Sequence, residues 1–571
     1  MRFLKPARGM SLVDVVVGTA LMLVIFTALF GLLRASALVS SLAKSKAGAT
    51  AMAESQMEYL RGLSYDSLGT AGGIPSGAIA QVATTTVSGS TYVVHTFVQY
   101  VDDPADGTGS HDSNGLTNDY KRIRVAVDYG PGYSRDVTVV STMSPPSVET
   151  TTGGGTLTMQ VVNAAGAGVP GATVALTNAA AGVSLSAFTD DTGALSFPGA
   201  PKATGYHVVV SKDGYSSAQT YDAVSPNRNP NPGNLTVSKN QTTTGTFAID
   251  LLSTLTLATY SPAATSTFTD SFTDSAKLAA TASTSVAGGS LTLSGGAGAY
   301  ALAGSARSVA TTSAYLASWG TASTTRTLPS GTGILLHIYD GSGALIPDSV
   351  LPGNSAGFSA QTVSLSGIST STYPSLALGA DLSTNSPAST PSIQDWSISY
   401  VAGPIPLPNV SFTLTGAKTI GSTSGGAAIY KTSTTTSTGA DASSALPLEW
   451  DAYGLSVPSY DIVDSCPDAP PYALSPGTAM TESLMLGTHT ANSLLVDVSD
   501  SAGHAVSGAT VTLTRTGYTG TATSTACGNA YFGGLTSSTS YTVKIAKTGY
   551  TTVQFTHVSV SGATIYDANF N

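Results

Sequence analysis

The chain has 571 residues, of which only 10% are charged, and a formal net charge of −10 at neutral pH. That length calls for several domains. A weakly charged, acidic chain offers no basic surface for nucleic acid, so nucleic-acid binding is excluded as the working reading. Two cysteines, Cys466 and Cys527, are too few for a disulfide framework, although an exported chain could join them in one bridge.

The first element is apolar. From Val15 to Leu33 there is no charged residue, and as a helix this run spans roughly 28 Å, the depth of a bilayer core. Arg2, Lys5 and Arg8 precede it, which favours a cytoplasmic N-terminus with the remainder facing outward. Asp14 sits at the mouth of the run. A carboxylate at mid-membrane depth costs about 2.5–3.5 kcal/mol, so even near the edge it wants a partner. The apolar pattern continues past the run through Leu38, Leu42, Ala49, Ala53, Met57 and Leu60. Spacings of three and four make one helical stripe. With no proline between Met10 and Tyr65, one helix of about 80 Å can form.

The stretch "RGMSLVD" (8–14) resembles the start of a type IV prepilin: a basic leader ending in Gly, a hydrophobic residue, and an acid at the fifth mature position. The resemblance covers residues 1 to 147. It implies cleavage between Gly9 and Met10 by a prepilin peptidase and N-methylation of Met10. It also implies that Asp14 pairs with the N-terminal amine of a neighbouring pilin-like subunit. The family usually carries Phe first and Glu fifth, where this chain has Met10 and Asp14. The competing reading is a secretory signal peptide cut near Ala35 to Ala37, but the apolar run exceeds the usual 7–15 residues of such a region.

A β region follows. "STYVVHTFVQYV", "DYKRIRVAVDYG" and "SRDVTVVSTMS" are rich in strand formers. Alternation places Ile123, Val125, Val127 and Tyr129 on one face, with Arg122, Arg124 and Asp128 opposite. Between two of these strands, Asp102, Asp103, Asp106, Asp112 and Asp119 crowd a Gly-rich loop. Oxygen ligands on a flexible loop suit calcium, although the spacing is not an EF-hand. The candidate ligands are Asp103, Asp106, Asp112 and Asp119, against the alternative of a solvated acidic turn.

Two later segments repeat each other. "GVPGATVALT", "DDTGALSFPG" and "GYHVVVSKDGYSS" match "AVSGATVTLT", "TACGNAYFGG" and "SYTVKIAKTGYTT" in order and spacing. Both resemble carboxypeptidase regulatory-like domains, transthyretin-like sandwiches akin to Cna-type B repeats. The resemblance implies a non-catalytic stalk module, with Phe197 and Phe532 in the cores and Tyr215 and Tyr550 packed at strand ends.

The expected class is therefore an α+β pilin-like module followed by all-β tandem sandwiches. The expected divisions are a leader (1–9), long helix (10–66), β head (67–147) and linker (148–155). Then come a regulatory-like sandwich (156–252), a jelly-roll or lectin-like sandwich (253–402), a diverged sandwich (403–488) and a second regulatory-like sandwich (489–571). The diverged sandwich is a candidate third copy. A Cys466–Cys527 bridge would cross its boundary with the last one.

Trp319 and Trp396 are candidates for stacking on a sugar, with core packing as the alternative. "GNSAG" (353–357) matches G-x-S-x-G, but a strand pattern follows where a hydrolase needs a helix. "GAGVPG" (166–171) likewise lacks the following helix of a nucleotide site. The seven His are scattered. These readings give a non-enzymatic surface protein, held by its N-terminal helix in the membrane and in a pilus or secretion pseudopilus, presenting sandwiches for adhesion to a surface glycan or protein. The alternative is a membrane-anchored glycan-binding or glycan-cleaving protein. No cofactor beyond the possible calcium is implied.

Overall fold

The computed structural model describes residues 12–87, 89–107, 118–130, 135–146 and 153–570. It shows one long N-terminal helix followed by strands in mostly antiparallel sheets, 53% strand and 9% helix.

Helix α1 runs Leu12–Arg61 without a break. Its two halves differ. Between Leu12 and Val39 the large apolar side chains described are exposed. Further along, Ala49, Ala53, Met57 and Leu60 are almost fully buried. The buried stripe starts later than the sequence pattern expects, because Leu38 remains 54% exposed.

Four strands cover the buried half: β1 (Val82–Val87), β2 (Ser90–Val101), β3 (Tyr120–Tyr129) and β4 (Arg135–Met143), antiparallel and in that order. Ile123, Val125 and Val127 of β3 point at the helix and are fully buried. Arg122 and Arg124 project from the other face, as a period of two requires.

The next sandwich contains β5 (Gly155–Val162), β6 (Thr173–Asn178), β7 (Val183–Phe188), β8 (Ala194–Ala200) and β9 (Ala203–Ser211). Gly155 opens β5, and Gly154 is already buried. The expected linker is therefore shorter at its C-terminal end than residue 155. Strand β5 pairs antiparallel with β8 and parallel with Thr242–Ala248. The second sheet has β9, β6 and β7 in spatial order. Residues 493–570 repeat the plan: Ser493–Asp500 lies parallel to Ala563–Phe570 and antiparallel to Asn529–Phe532.

The middle of the chain departs from the expected boundary at 253. Strand Ser253–Ser261 does not belong with the residues that follow it. It lies parallel to Ala479–Thr488 and antiparallel to Ser443–Leu448. Those are the partners the first strand takes in both repeats. The other sheet runs Ser433–Ser437, Ser411–Gly416, Asp451–Ser456, Tyr472–Leu474, matching the second sheet of each repeat. The unit is a third sandwich of the same topology. A separate sandwich, spanning Ala264 to Ala402, is inserted between its first and second strands. The insertion is anchored where the chain leaves and returns, because Ser261 pairs with Ile405 and Ala264 with Ala402. Gly403 closes this neck at φ 117°. A side chain there would collide with Ala263.

Among the described residues five apolar cores result, one each for the head, the three like sandwiches and the insertion. Trp319 and Trp396 are 2% and 0% exposed in the core of the insertion. They offer no ring face to a sugar. Trp319 also spends its indole N–H on the Tyr373 carbonyl at 2.9 Å. Tyr550 is 38% exposed and lies outside the core of its sandwich, whereas Tyr215 packs partly against its own. Lys547 stands 5.2 Å from its ring, as Lys212 stands 4.9 Å from Tyr215.

Candidate functional site

The N-terminal assembly residues come first. Gly9 and Met10 lie outside the described residues. Asp14 lies in the first turn of α1, and its side chain is not among those described. Past it, α1 is the one described helix long and apolar enough to cross a membrane, by length and composition. An exposed stripe of Leu, Ile, Val and Phe over that length is costly in water and suited to lipid.

In the acidic loop of the head, Asp112 lies outside the described residues. The Asp119 carboxylate accepts the Asp103 N–H at 2.6 Å, and the Asp103 carboxylate accepts the Ala105 N–H at 3.0 Å. These acids staple the base of their own loop. Among the described residues no group of three or more His, Cys, Asp or Glu is gathered to hold a metal. Ser355 of "GNSAG" bonds Asp348 through its hydroxyl at 2.5 Å, whereas the buried His337 bonds the Asn354 carbonyl at 2.8 Å. Among the described residues the serine has no histidine partner, and no helix follows the loop as a nucleophile elbow needs.

The head and the first like sandwich are packed together. Ile74 and Tyr100 of the head enter the sandwich core. The Ser184 N–H donates to the Gly72 carbonyl at 2.8 Å, and Gln81 Nε2 donates to the Ser184 carbonyl at 2.7 Å. Lys121 is 2% exposed. Its ammonium donates to the Tyr65 carbonyl at 2.7 Å and lies 4.2 and 5.2 Å from the Tyr65 and Tyr100 rings. Beside this contact a cleft of about 690 Å³ opens between the helix-free face of the head sheet and β7 and β8.

A second joint ties the third sandwich to the last. Cys466 and Cys527 are bonded across it, their Cα atoms 5.4 Å apart, a normal disulfide span. Close by, Asp461 is fully buried. It accepts the Tyr531 hydroxyl at 2.7 Å and the Thr490 hydroxyl at 2.6 Å, and faces His489 at 3.1 Å. Burial pushes this carboxyl up, but the bonds from Thr490, Tyr531 and His489 outweigh it and hold it below the usual range. Other acids there move the opposite way. Burial and the Asp468 charge push Glu482 up to about 7. Burial, with Asp567 and Asp468 nearby, pushes Asp497 up to about 6. Asn529 and Asp567 flank Asp497 in register on neighbouring strands, so all three point to one face. Asn529 Nδ2 reaches across to the Ser465 carbonyl at 2.9 Å.

Sequence reading missed Asp461, Glu482, Asp497 and the cleft arginines as a group. Asp461 and Asp497 sit within apolar strand patterns, "YDIVDS" and "LLVDVS". An acid at such a place is the only local signal of a buried joint.

Comparison with known proteins gives two segments, 156–251 and 493–571, that match the carboxypeptidase regulatory-like domain. No curated protein matches the chain. Among solved structures, the Bacillus anthracis TIE protein is 11% identical with a TM-score of 0.16, over 85% of this chain and 72% of that one. The Bacillus cereus major pilin subunit BcpA is 11% identical with a TM-score of 0.13, over 73% of this chain and 99% of that one. The major pilin SpaD of Corynebacterium diphtheriae is 11% identical with a TM-score of 0.12, over 73% and 97%. Scores this low transfer neither a fold nor a function to this chain.

Proposed function

We propose that this chain is a non-enzymatic, pilin-like surface protein, a minor or tip subunit of a type IV pilus or secretion pseudopilus. The observation that carries this reading is the division of α1. Its first half is apolar and exposed, its second half is the spine of a four-stranded head. The basic, Gly-ended stretch before it supports the same reading. On it, a prepilin peptidase cuts between Gly9 and Met10, and Met10 is methylated. The apolar half sits first in the membrane, then among neighbouring subunits. Asp14 offsets its cost in that apolar setting by pairing with a neighbour's terminal amine, a charge-assisted hydrogen bond. The three like sandwiches form the outward stalk, and the inserted sandwich, joined to the third through one neck, is available for contact with a surface ligand.

The test is the ratio of filament-bound to membrane-bound chain in sheared surface fractions. Asp14→Ala should still insert but lose incorporation, and Asp14→Glu should retain it. If Asp14→Ala partitions like the parent, the carboxylate has no assembly role and the helix is a plain anchor.

A further inference from the structure

The cleft between the head and the first like sandwich has a composition that its structural position does not require. Across the helix-free face of the head sheet, Phe97, Arg124 and Val140 lie side by side in register, and Gln99 pairs with Arg122. Arg124 carries its guanidinium between two aromatic rings, 5.9 Å from Phe97 on its own sheet and 5.9 Å from Phe188 of the sandwich. Among the described residues neither Arg122 nor Arg124 has a hydrogen bond or an ion pair. Two cations therefore stand in one partly apolar cleft, and among the described residues neither is paired with the two acids that share its lining, Asp102 and Asp190. Asp190, which also lines it, does not answer them. Its carboxylate is occupied by the N–H and hydroxyl of Thr192 and the N–H of Ala194, at 2.7 to 2.9 Å. Asp102, also on the lining, is engaged elsewhere.

The opposite wall is made of strand edges. Among the described residues β7 pairs with β6 and β8 with β5, each at the end of its sheet, and the head already bonds the β7 edge at Ser184. Both line the cleft, through Phe188 and through Leu195 and Ser196. An edge strand presents unpaired backbone groups that an extended chain can use. The cleft lies within the 300–1,000 Å³ range of ordinary ligand sites.

From these observations we infer that the cleft takes an extended acidic peptide segment of a partner protein, in which carboxylates alternate with apolar side chains. Arg122 and Arg124 receive the carboxylates. Phe188, Leu195 and Val140 receive the apolar side chains, and the β8 edge receives the backbone. Of the aromatic side chains that line the cleft, Phe97 and Phe188 flank Arg124 and are engaged with its guanidinium, and a glycan is the outcome that the competitor tests. Guanidinium–carboxylate pairs are geometrically specific, and hydrogen bonds to charged groups are worth about 1.5–3 kcal/mol.

The test uses the full chain in detergent micelles and a fluorescein-labelled peptide, Glu-Val-Glu-Val-Glu. The controls are Lys-Val-Lys-Val-Lys and unlabelled tri-galacturonic acid as competitor. Saturable binding of the acidic peptide is expected, at least tenfold tighter than the basic one and weakening with salt. Arg124→Gln should weaken it at least tenfold. Arg122→Gln, at an exposed position, should weaken it several-fold with the melting temperature unchanged, which separates binding from folding. No saturable binding, equal binding by Arg122→Gln and the parent, or displacement by tri-galacturonic acid at lower concentration than by unlabelled peptide would each overturn the proposal.

Discussion

Tyr206 and Tyr541 occupy the same corner of two sandwiches. Each is buried, and each donates its hydroxyl to the carbonyl five residues upstream, Pro201 at 2.6 Å and Thr536 at 2.9 Å. Tyr453 makes the corresponding bond in the third sandwich, to the carbonyl four residues upstream, Glu449, at 3.0 Å. The neighbouring turn agrees. Thr189, Ser524 and Thr438 each accept a backbone N–H from the start of the second strand, from Ala172, Ala509 and Val410 respectively. Three units thus share a strand plan and two internal polar anchors.

If Tyr453 holds its corner as the other two do, Tyr453→Phe should destabilise the third sandwich by about 1–3 kcal/mol, the cost of leaving a buried partner unsatisfied. Tyr206→Phe and Tyr541→Phe should fall in the same range. Denaturant melts of the three variants check this. A Tyr453→Phe value near zero beside large values for the other two would remove Tyr453 from the set.

The insertion should be separable. Ser261 and Ile405 are paired neighbours, so a two-residue turn can join them. A chain lacking 262–404 should keep the unfolding transitions of the other units, and 264–402 alone should fold around its own core. The check is calorimetry of both pieces. Loss of the third sandwich in the shortened chain would mean that the insertion is part of its fold.

The disulfide should couple the last two like sandwiches. Its cysteines are separated by 61 residues, and closing a loop of that size is worth about 2–4 kcal/mol. Cys466→Ser with Cys527→Ser should lower the melting temperature of both units and leave the head unchanged. Unchanged melting of both units would show that the bond is incidental.

The same joint should respond to pH. Glu482 and Asp497, raised to about 7 and about 6, bind protons in the folded chain that the unfolded chain releases. The stability they withhold at neutral pH returns as pH falls from about 7 towards about 4. Asp461 acts oppositely. Its carboxyl is held low, so its contribution is present above the usual carboxylate range and is lost only as pH falls through its folded value. The last two units should therefore be more stable at pH 5 than at pH 8. Glu482→Gln with Asp497→Asn should flatten that dependence. Melting temperatures across this range decide it, and a parent chain more stable at pH 8 would contradict the assignment.

Much of this was legible from sequence, for physical reasons that also mark where it failed. The two close repeats share Gly turns and alternating strands in the same order, so local pattern was enough. The third copy was only partly visible, because its first strand, Ser253–Ser261, is separated from its second by the whole insertion. No local window contains both. Trp319 and Trp396 have the chemistry of a sugar platform, and only tertiary packing shows them enclosed. The joint acids and the cleft arginines are single residues on ordinary strands. Their meaning comes from neighbours brought close by folding, such as Asp461 with Tyr531, or Arg124 with Phe188.

The central claim is that the apolar half of α1 belongs to a processed pilin-like subunit. Mass spectrometry of the chain recovered from sheared surface filaments tests it most directly. The account predicts a mature N-terminus at Met10 carrying one methyl group on its amine. A chain that begins at Leu38, or one that keeps residues 1–9 in cells with active prepilin peptidase, would contradict it.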